Sequence, residues 1–243
     1  MAVDSALHEA ASVTRTAPLV DHLRELRRRV LICAVAVVVG AAAAFSVSDQ
    51  LIELLRGPLG TTKLYFTGVG DAFGIRMQLS LIGGLAIAMP ILLWQVWAFI
   101  SPGLTSAERR SARPWLPLAL ALFILGAVVA WSILPIAVGF LLGFASEDLL
   151  PMIAADRYFG FVSGLVLLFA VAAEYPIVLV FLSRVGLVTS AKLRAWRRGA
   201  IVGVVIISAL ATPGTDLVSP LVLAITLLLL YEFSIILVRA GGR

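Results

Sequence analysis

The chain has 243 residues, 61% of them hydrophobic and 14% charged, with a formal net charge of +5. No soluble core could hide that much apolar surface, so a soluble globular domain is excluded and the class is an all-α, polytopic membrane protein. A single cysteine, Cys33, and two histidines, His8 and His22, exclude a disulfide framework within the chain, a metal cluster and a Cys/His catalytic pair, so neither a metal nor a cofactor is expected.

Residues 1–18 are polar and small, without the apolar core of a cleavable signal peptide, and read as a cytoplasmic tail. In "VDHLRELRRRV", Leu19, Leu23, Leu26 and Val30 recur at helical spacing, so the segment reads as an amphipathic helix running into the first span. Six apolar segments follow: Val30–Val47, Ala72–Phe99, Trp115–Phe144, Tyr158–Leu182, Gly199–Ala211 and Leu217–Val238. The first four can cross ~30 Å of hydrocarbon at ~1.5 Å per residue. The fifth, at roughly 20 Å, cannot do so without local thinning or support from its neighbours. The sixth is interrupted by Pro220, so the last two helices are expected to be short. Pro90, Pro117, Pro135 and Pro176 fall within the spans and can kink them. Kinked helices do not stack as a cylinder, and a concave curved wall suited to docking is expected. The membrane domain covers residues 19–238, and residues 239–243 form a short C-terminal end. No internal repeat is visible, which argues against an inverted-repeat transporter.

Of 19 Lys and Arg residues, 15 gather at the chain ends and in the second and fourth connections, from Arg15 through Arg109, Arg110, Arg113, Arg184 and Arg198 to Arg243. The connections expected on the other side hold Arg56, Lys63 and Arg157, and Arg76 lies inside the second segment. The excess of positive charge marks the cytoplasmic side, so both termini are expected inside a multi-pass protein of the inner (cytoplasmic) membrane.

Few acids share that basic side, and two of them stand out. Glu25 reads as an i,i+4 partner of Arg29 or as part of a binding site. Glu108, in "ISPGLTSAERRSARP", fits a Thr105-x-x-Glu108 capping box and has acceptor sites to spare for a second role. Glu174, in "FAVAAEYPIVLVF", falls in the outer half of the fourth span, and an ionisable group in hydrocarbon reads as functional unless it merely holds helices together. Asp216, in "TPGTDLVSP", reads as a cap of the sixth helix. Glu232, some two turns from Arg239, reads as pointing toward the cytoplasmic interface.

Taken together, "HLRELRRR" (22–29), "GPL" (57–59), "QVWAFISPGLTSAERR" (95–110), "EYP" (174–176), "LRAWRRG" (193–199) and "TPGTD" (212–216) resemble the C subunit of the twin-arginine translocase, the TatC family, in order and over nearly the whole chain. "DRYFGF" (156–161) is similar to the actinobacterial branch. The resemblance implies a receptor for folded export substrates, not an enzyme. Such a receptor binds the twin-arginine motif of a signal peptide at the cytoplasmic face and recruits single-span TatA and TatB partners into an oligomeric complex. Its transport is driven by the proton-motive force. By the same resemblance Glu25 and Glu108 form the twin-arginine site, with Phe99 and Arg109 beside them. Pro58, Glu174 and Asp216 are implied in partner docking or mechanism. A guanidinium fork suits bidentate capture by carboxylates in a way that an ammonium cannot match. Here Ala173 precedes Glu174 where the family often has Phe, and Pro220 stands at an often polar position, which affects the details of docking. The alternative is a proton-coupled secondary transporter using Glu174, which would require a second intramembrane ionisable group and a repeat.

Overall fold

The computed structural model describes residues 2–101, 114–146, 151–184, 186–212 and 216–240, with side chains from His22 to Arg239. Helices dominate, in the order α1 (Ala2–Ser46), α2 (Ser48–Arg56), a 3-10 turn (Gly57–Leu59), β1 (Leu64–Tyr65), α3 (Asp71–Ile100), α4 (Trp115–Leu142), β2 (Ile153–Ala154), α5 (Ala155–Ala172), α6 (Tyr175–Arg184), α7 (Ser190–Ala195), α8 (Arg197–Ala211) and α9 (Val218–Ala240). Among the described residues, five stretches are long and apolar enough to cross a membrane: His22–Ser46, Asp71–Ile100, Trp115–Leu142, Ala155–Arg184 and Val218–Arg239. The expected fifth segment is α8, whose 15 residues reach roughly 22 Å.

Of the last two helices, α8 alone is short. α9 has 23 residues, because Pro220 lies in its first turn, where a backbone N–H has no helical partner to lose. Pro117 likewise sits in the first turn of α4, while Pro90 and Pro135 lie inside α3 and α4. Pro176 acts differently. It has no N–H for the carbonyl four residues back, and the fourth span divides there into α5 and α6, with Ala173 and Glu174 at the joint. The Glu174 carbonyl restarts the ladder by accepting from the N–H groups of Ile177 and Val178.

Small residues set how closely the helices cross. A Cβ on Gly40 of α1 would lie 2.6 Å from the Gly84 carbonyl oxygen of α3, and one on Gly83 would meet the Ala44 methyl at 3.1 Å. A Cβ on Gly126 of α4 would lie 2.7 Å from the Ala173 methyl and 2.9 Å from the Ala170 Cα. Backbones therefore touch at both crossings, which is how helices gain packing where solvent gives no hydrophobic drive. The main core lies among α3, α4, α5 and α9, around Leu79, Leu134, Val162, Leu165, Phe169 and Leu223. A second cluster joins α6, α7 and α9 through Val180, Leu193, Tyr231 and Ile235.

α1 packs chiefly on α3. It is one continuous helix through "HLRELRRR", as the periodicity predicts, yet Leu23, Leu26 and Val30 are exposed rather than packed. In a membrane, an apolar face is satisfied by lipid as well as by protein.

The end opposite the basic cluster carries a feature that the sequence does not suggest. β1 and β2 pair in parallel, Leu64 with Ile153 and Tyr65 with Ala154. They lead into α3 and α5, which therefore start at the same end of the molecule. Asp71 opens α3 by accepting from the N–H groups of Thr67 (2.8 Å) and Gly68 (2.6 Å). The Tyr158 hydroxyl donates to the Leu55 carbonyl (2.9 Å), and Leu59 is buried in the main core, so the connection around Gly57–Leu59 is tied down.

Candidate functional site at the basic end of α1 and α3

Glu25 and Arg29 lie one turn apart on α1 and so share a face. The guanidinium donates twice to one carboxylate oxygen, Oε1, from Nε at 3.0 Å and from Nη2 at 2.6 Å. The same guanidinium crosses to α3, where Nη1 donates to Gln95 Oε1 (3.1 Å) and Nη2 to the Ala98 carbonyl (3.0 Å). Ala98 is in the last turn of α3, where carbonyls lack helical partners and a cation is favoured. One turn earlier on α1, the His22 ring stacks on Phe99 with centroids 4.5 Å apart and planes at 24°. Residues 22–29 are thus clipped to residues 95–99 by an aromatic stack and a four-bond guanidinium. Arg24, Arg27 and Arg28 line a shallow groove on α1 with Leu31, Ile32 and Val35, so positive charge gathers along this end of the helix.

An apolar cleft of about 210 Å³ lies next to this clip, between α3, α4 and α6. Trp97, Ile100, Trp115 and Phe181 line it, and Arg184 stands at its rim. It is nearly devoid of polar atoms, so its own chemistry selects an apolar occupant.

The residues singled out in the sequence fall into three places. Glu25 and Phe99 come together at the clip, and the pairing of Glu25 with Arg29 is realised. Glu108 and Arg109, with the Thr105 capping box, lie outside the described residues. Pro58, half-buried in the 3-10 turn, and Asp216 lie at the opposite end. Asp216 is buried and caps α9, its Oδ1 accepting from the Ser219 N–H at 2.5 Å, while Oδ2 is enclosed without a partner among the described residues. Glu174 is the third place, and its expected depth needs correcting. Along Ala155–Arg184 it lies nearer Arg184 than Ala155, past the midpoint toward the basic end, because the chain runs from the β2 end toward the arginines. Both of its carboxylate oxygens are enclosed and have no hydrogen-bond partner among the described residues. Tyr175 beside it stacks on Tyr231 with centroids 6.4 Å apart.

Sequence reasoning misses Gln95 and His22 as members of the clip, although they stand inside "QVWAFISPGLTSAERR" and "HLRELRRR". It also leaves the partners of Glu232 and Arg76 open. Glu232 pairs with Arg197 at 2.6 Å. Arg76 reaches out of the second span to Asp49 (2.6 Å) and the Ser48 hydroxyl (2.8 Å). Each partner lies many residues away, and no local spacing reveals it. Among the described residues, no group of three His, Cys, Asp or Glu side chains could hold a metal ion.

The fold and the site define an all-α, kinked membrane protein with a basic end. The family model described as Sec-independent protein translocase protein (TatC) matches residues 21–225. The TatC of Aquifex aeolicus is 39% identical over 93% of this chain and 96% of its own length. That of Frankia casuarinae is 36% identical over 90% of this chain, which spans 65% of the Frankia protein. A crystal structure of the twin-arginine translocase receptor TatC superposes with a TM-score of 0.78 at 37% identity, covering 91% of this chain and 100% of that one. The chain belongs to the TatC family. It is an integral membrane component of the Tat protein translocase, not an enzyme, and it works with other Tat subunits.

Proposed function

We propose that this chain is the receptor of the twin-arginine export system, and that Glu25, with Glu108 and Phe99, takes the arginine pair of a signal peptide at the cytoplasmic face. The observation that carries the reading is a carboxylate at the basic end that already binds a guanidinium, through Nε and Nη2 to one of its oxygens. Surrounding arginines would repel a bare cationic peptide, so capture depends on the few acids among them. Charge-assisted bonds at a partly dry interface contribute ~1.5–3 kcal/mol each, enough for selection without irreversible binding. The apolar cleft beside Ile100 suits the apolar stretch that follows the charged region of a signal peptide. Arg109 and the neighbouring cations orient the peptide by repulsion. In this reading the protein lies in the inner membrane with both termini cytoplasmic, in an oligomeric complex. TatA-type and TatB-type single-span partners dock through Glu174, Asp216 and the Pro58 turn, and the proton-motive force drives transport.

Photo-crosslinking tests this directly. A twin-arginine peptide should label membranes holding the chain, a twin-lysine peptide should not, and Glu25→Ala with Glu108→Ala should abolish the label while insertion is retained. Labelling indifferent to both glutamates sinks the site. Movement of a small solute by vesicles made with this chain alone would favour a proton-coupled transporter through Glu174 instead.

A further inference from the structure

We propose that Arg29 is a resident occupant of the Glu25 carboxylate, an internal guanidinium that an incoming signal arginine must replace. The inference rests on the reading of Glu25 as an acceptor for the signal peptide. Arg29 takes Glu25 Oε1 through two donors, Nε and Nη2, so the carboxylate cannot offer both oxygens to the fork of a peptide arginine until Arg29 releases it. What makes the occupant exchangeable is its second set of partners. Nη1 on Gln95 and Nη2 on the Ala98 carbonyl hold the guanidinium to α3 independently of the glutamate. Glu25 can therefore swing to a new arginine while Arg29 keeps two bonds and its place at the carboxyl end of α3. Arg29 loses its carboxylate counter-ion in the exchange but stays hydrogen-bonded to α3 and partly open to water, so its charge is not stranded in a dry interior. The two side chains are 21% and 35% exposed, open enough for a peptide to reach them.

A resident competitor lowers the apparent affinity of every ligand by the fraction of time it occupies the site. It weakens arginine and lysine peptides by the same factor, so it sets how easily a bound signal lets go rather than which signal is chosen. This role is separate from the structural one, since the clip to α3 does not need Glu25.

The test uses the full chain in lipid nanodiscs and fluorescent twin-arginine and twin-lysine signal peptides, with equilibrium binding as the readout. Arg29→Gln should bind the twin-arginine peptide about three- to fivefold more tightly, the worth of a half-exposed ion pair released from competition. The ratio between the two peptides should stay as in the wild type. In a Glu25→Gln background the same substitution should bring no tightening. Unchanged or weaker binding by folded Arg29→Gln overturns the proposal. So does equal tightening with and without Glu25, which would reflect only the removal of a positive charge. If Arg29→Gln does not insert, Arg29→Met decides on the same terms, because a thioether cannot occupy the Glu25 carboxylate. If Glu25→Gln alone leaves binding intact, the site itself is misassigned and the occupant falls with it.

Discussion

The acid at the basic end and the acid at the helix joint are solved in opposite ways. Glu25 is half-exposed, surrounded by arginines and paired with one that has further anchors. Glu174 sits within a span with both oxygens enclosed and no partner among the described residues. A satisfied, accessible carboxylate can trade partners at little net cost. An enclosed unsatisfied one costs ~1–3 kcal/mol even when neutral, so it persists in a folded protein when something beyond the described residues completes it or when the strain serves a function. The first arrangement suits a reversible peptide site, and the second suits a place where another subunit brings the missing hydrogen bond.

The largest way to break that contrast is to move the joint. Gly126→Leu would drive a side chain into the Phe169 carbonyl, Ala170 and Ala173, the segment just before Glu174. The clash is with backbone and cannot be relieved by a rotamer, so a loss of ~3 kcal/mol or more is expected. Thermal unfolding of the purified protein should show it, with the peptide-binding end still intact at low temperature. A variant of wild-type stability would mean that the α4–α5 crossing is looser than the contacts imply.

Next in size is the enclosed carboxylate itself. Glu174→Leu removes two unsatisfied oxygens and adds apolar volume, so the isolated protein should gain ~1–3 kcal/mol. Export in cells should fall at the same time. Stability and activity moving in opposite directions is the signature of an acid retained for function. If stability falls as well, Glu174 has a partner in the folded protein, and the contrast with Glu25 disappears.

Much of this contrast is legible in the sequence. Helix-length apolar runs define the spans, because they rest on local chemistry that tertiary packing does not override. The Glu25–Arg29 pair is legible for the same reason, since a helix makes i and i+4 neighbours. What cannot be read involves distant partners. Gln95 and Ala98 meet Arg29 across two helices, Arg197 meets Glu232, and β1 meets β2 through two residues each. α9 is longer than expected because Pro220 breaks a helix only in its interior, and sequence alone does not fix where the first turn begins. The depth of Glu174 is legible as well, since position 174 already lies past the midpoint of Tyr158–Leu182 toward Arg184.

The smallest effect sharpens the comparison most. Arg197 and Glu232 form a second ion pair at 2.6 Å, the same length as Arg29 to Glu25, but the two side chains are 48% and 50% exposed. Water screens such a pair and side-chain entropy opposes it, so Glu232→Gln should cost only ~0.2–1 kcal/mol and vanish at high salt. Glu25→Gln should cost more and be less sensitive to salt, because its partner is held on α3 by two further bonds and is only 21% exposed. Thermal unfolding of both variants at low and high ionic strength measures the difference. Equal costs would mean that the anchors add nothing to the ion pair and that bond length alone describes it. Unequal costs, in the direction stated, would mean that the α3 anchors hold a preformed arginine site rather than an incidental surface contact.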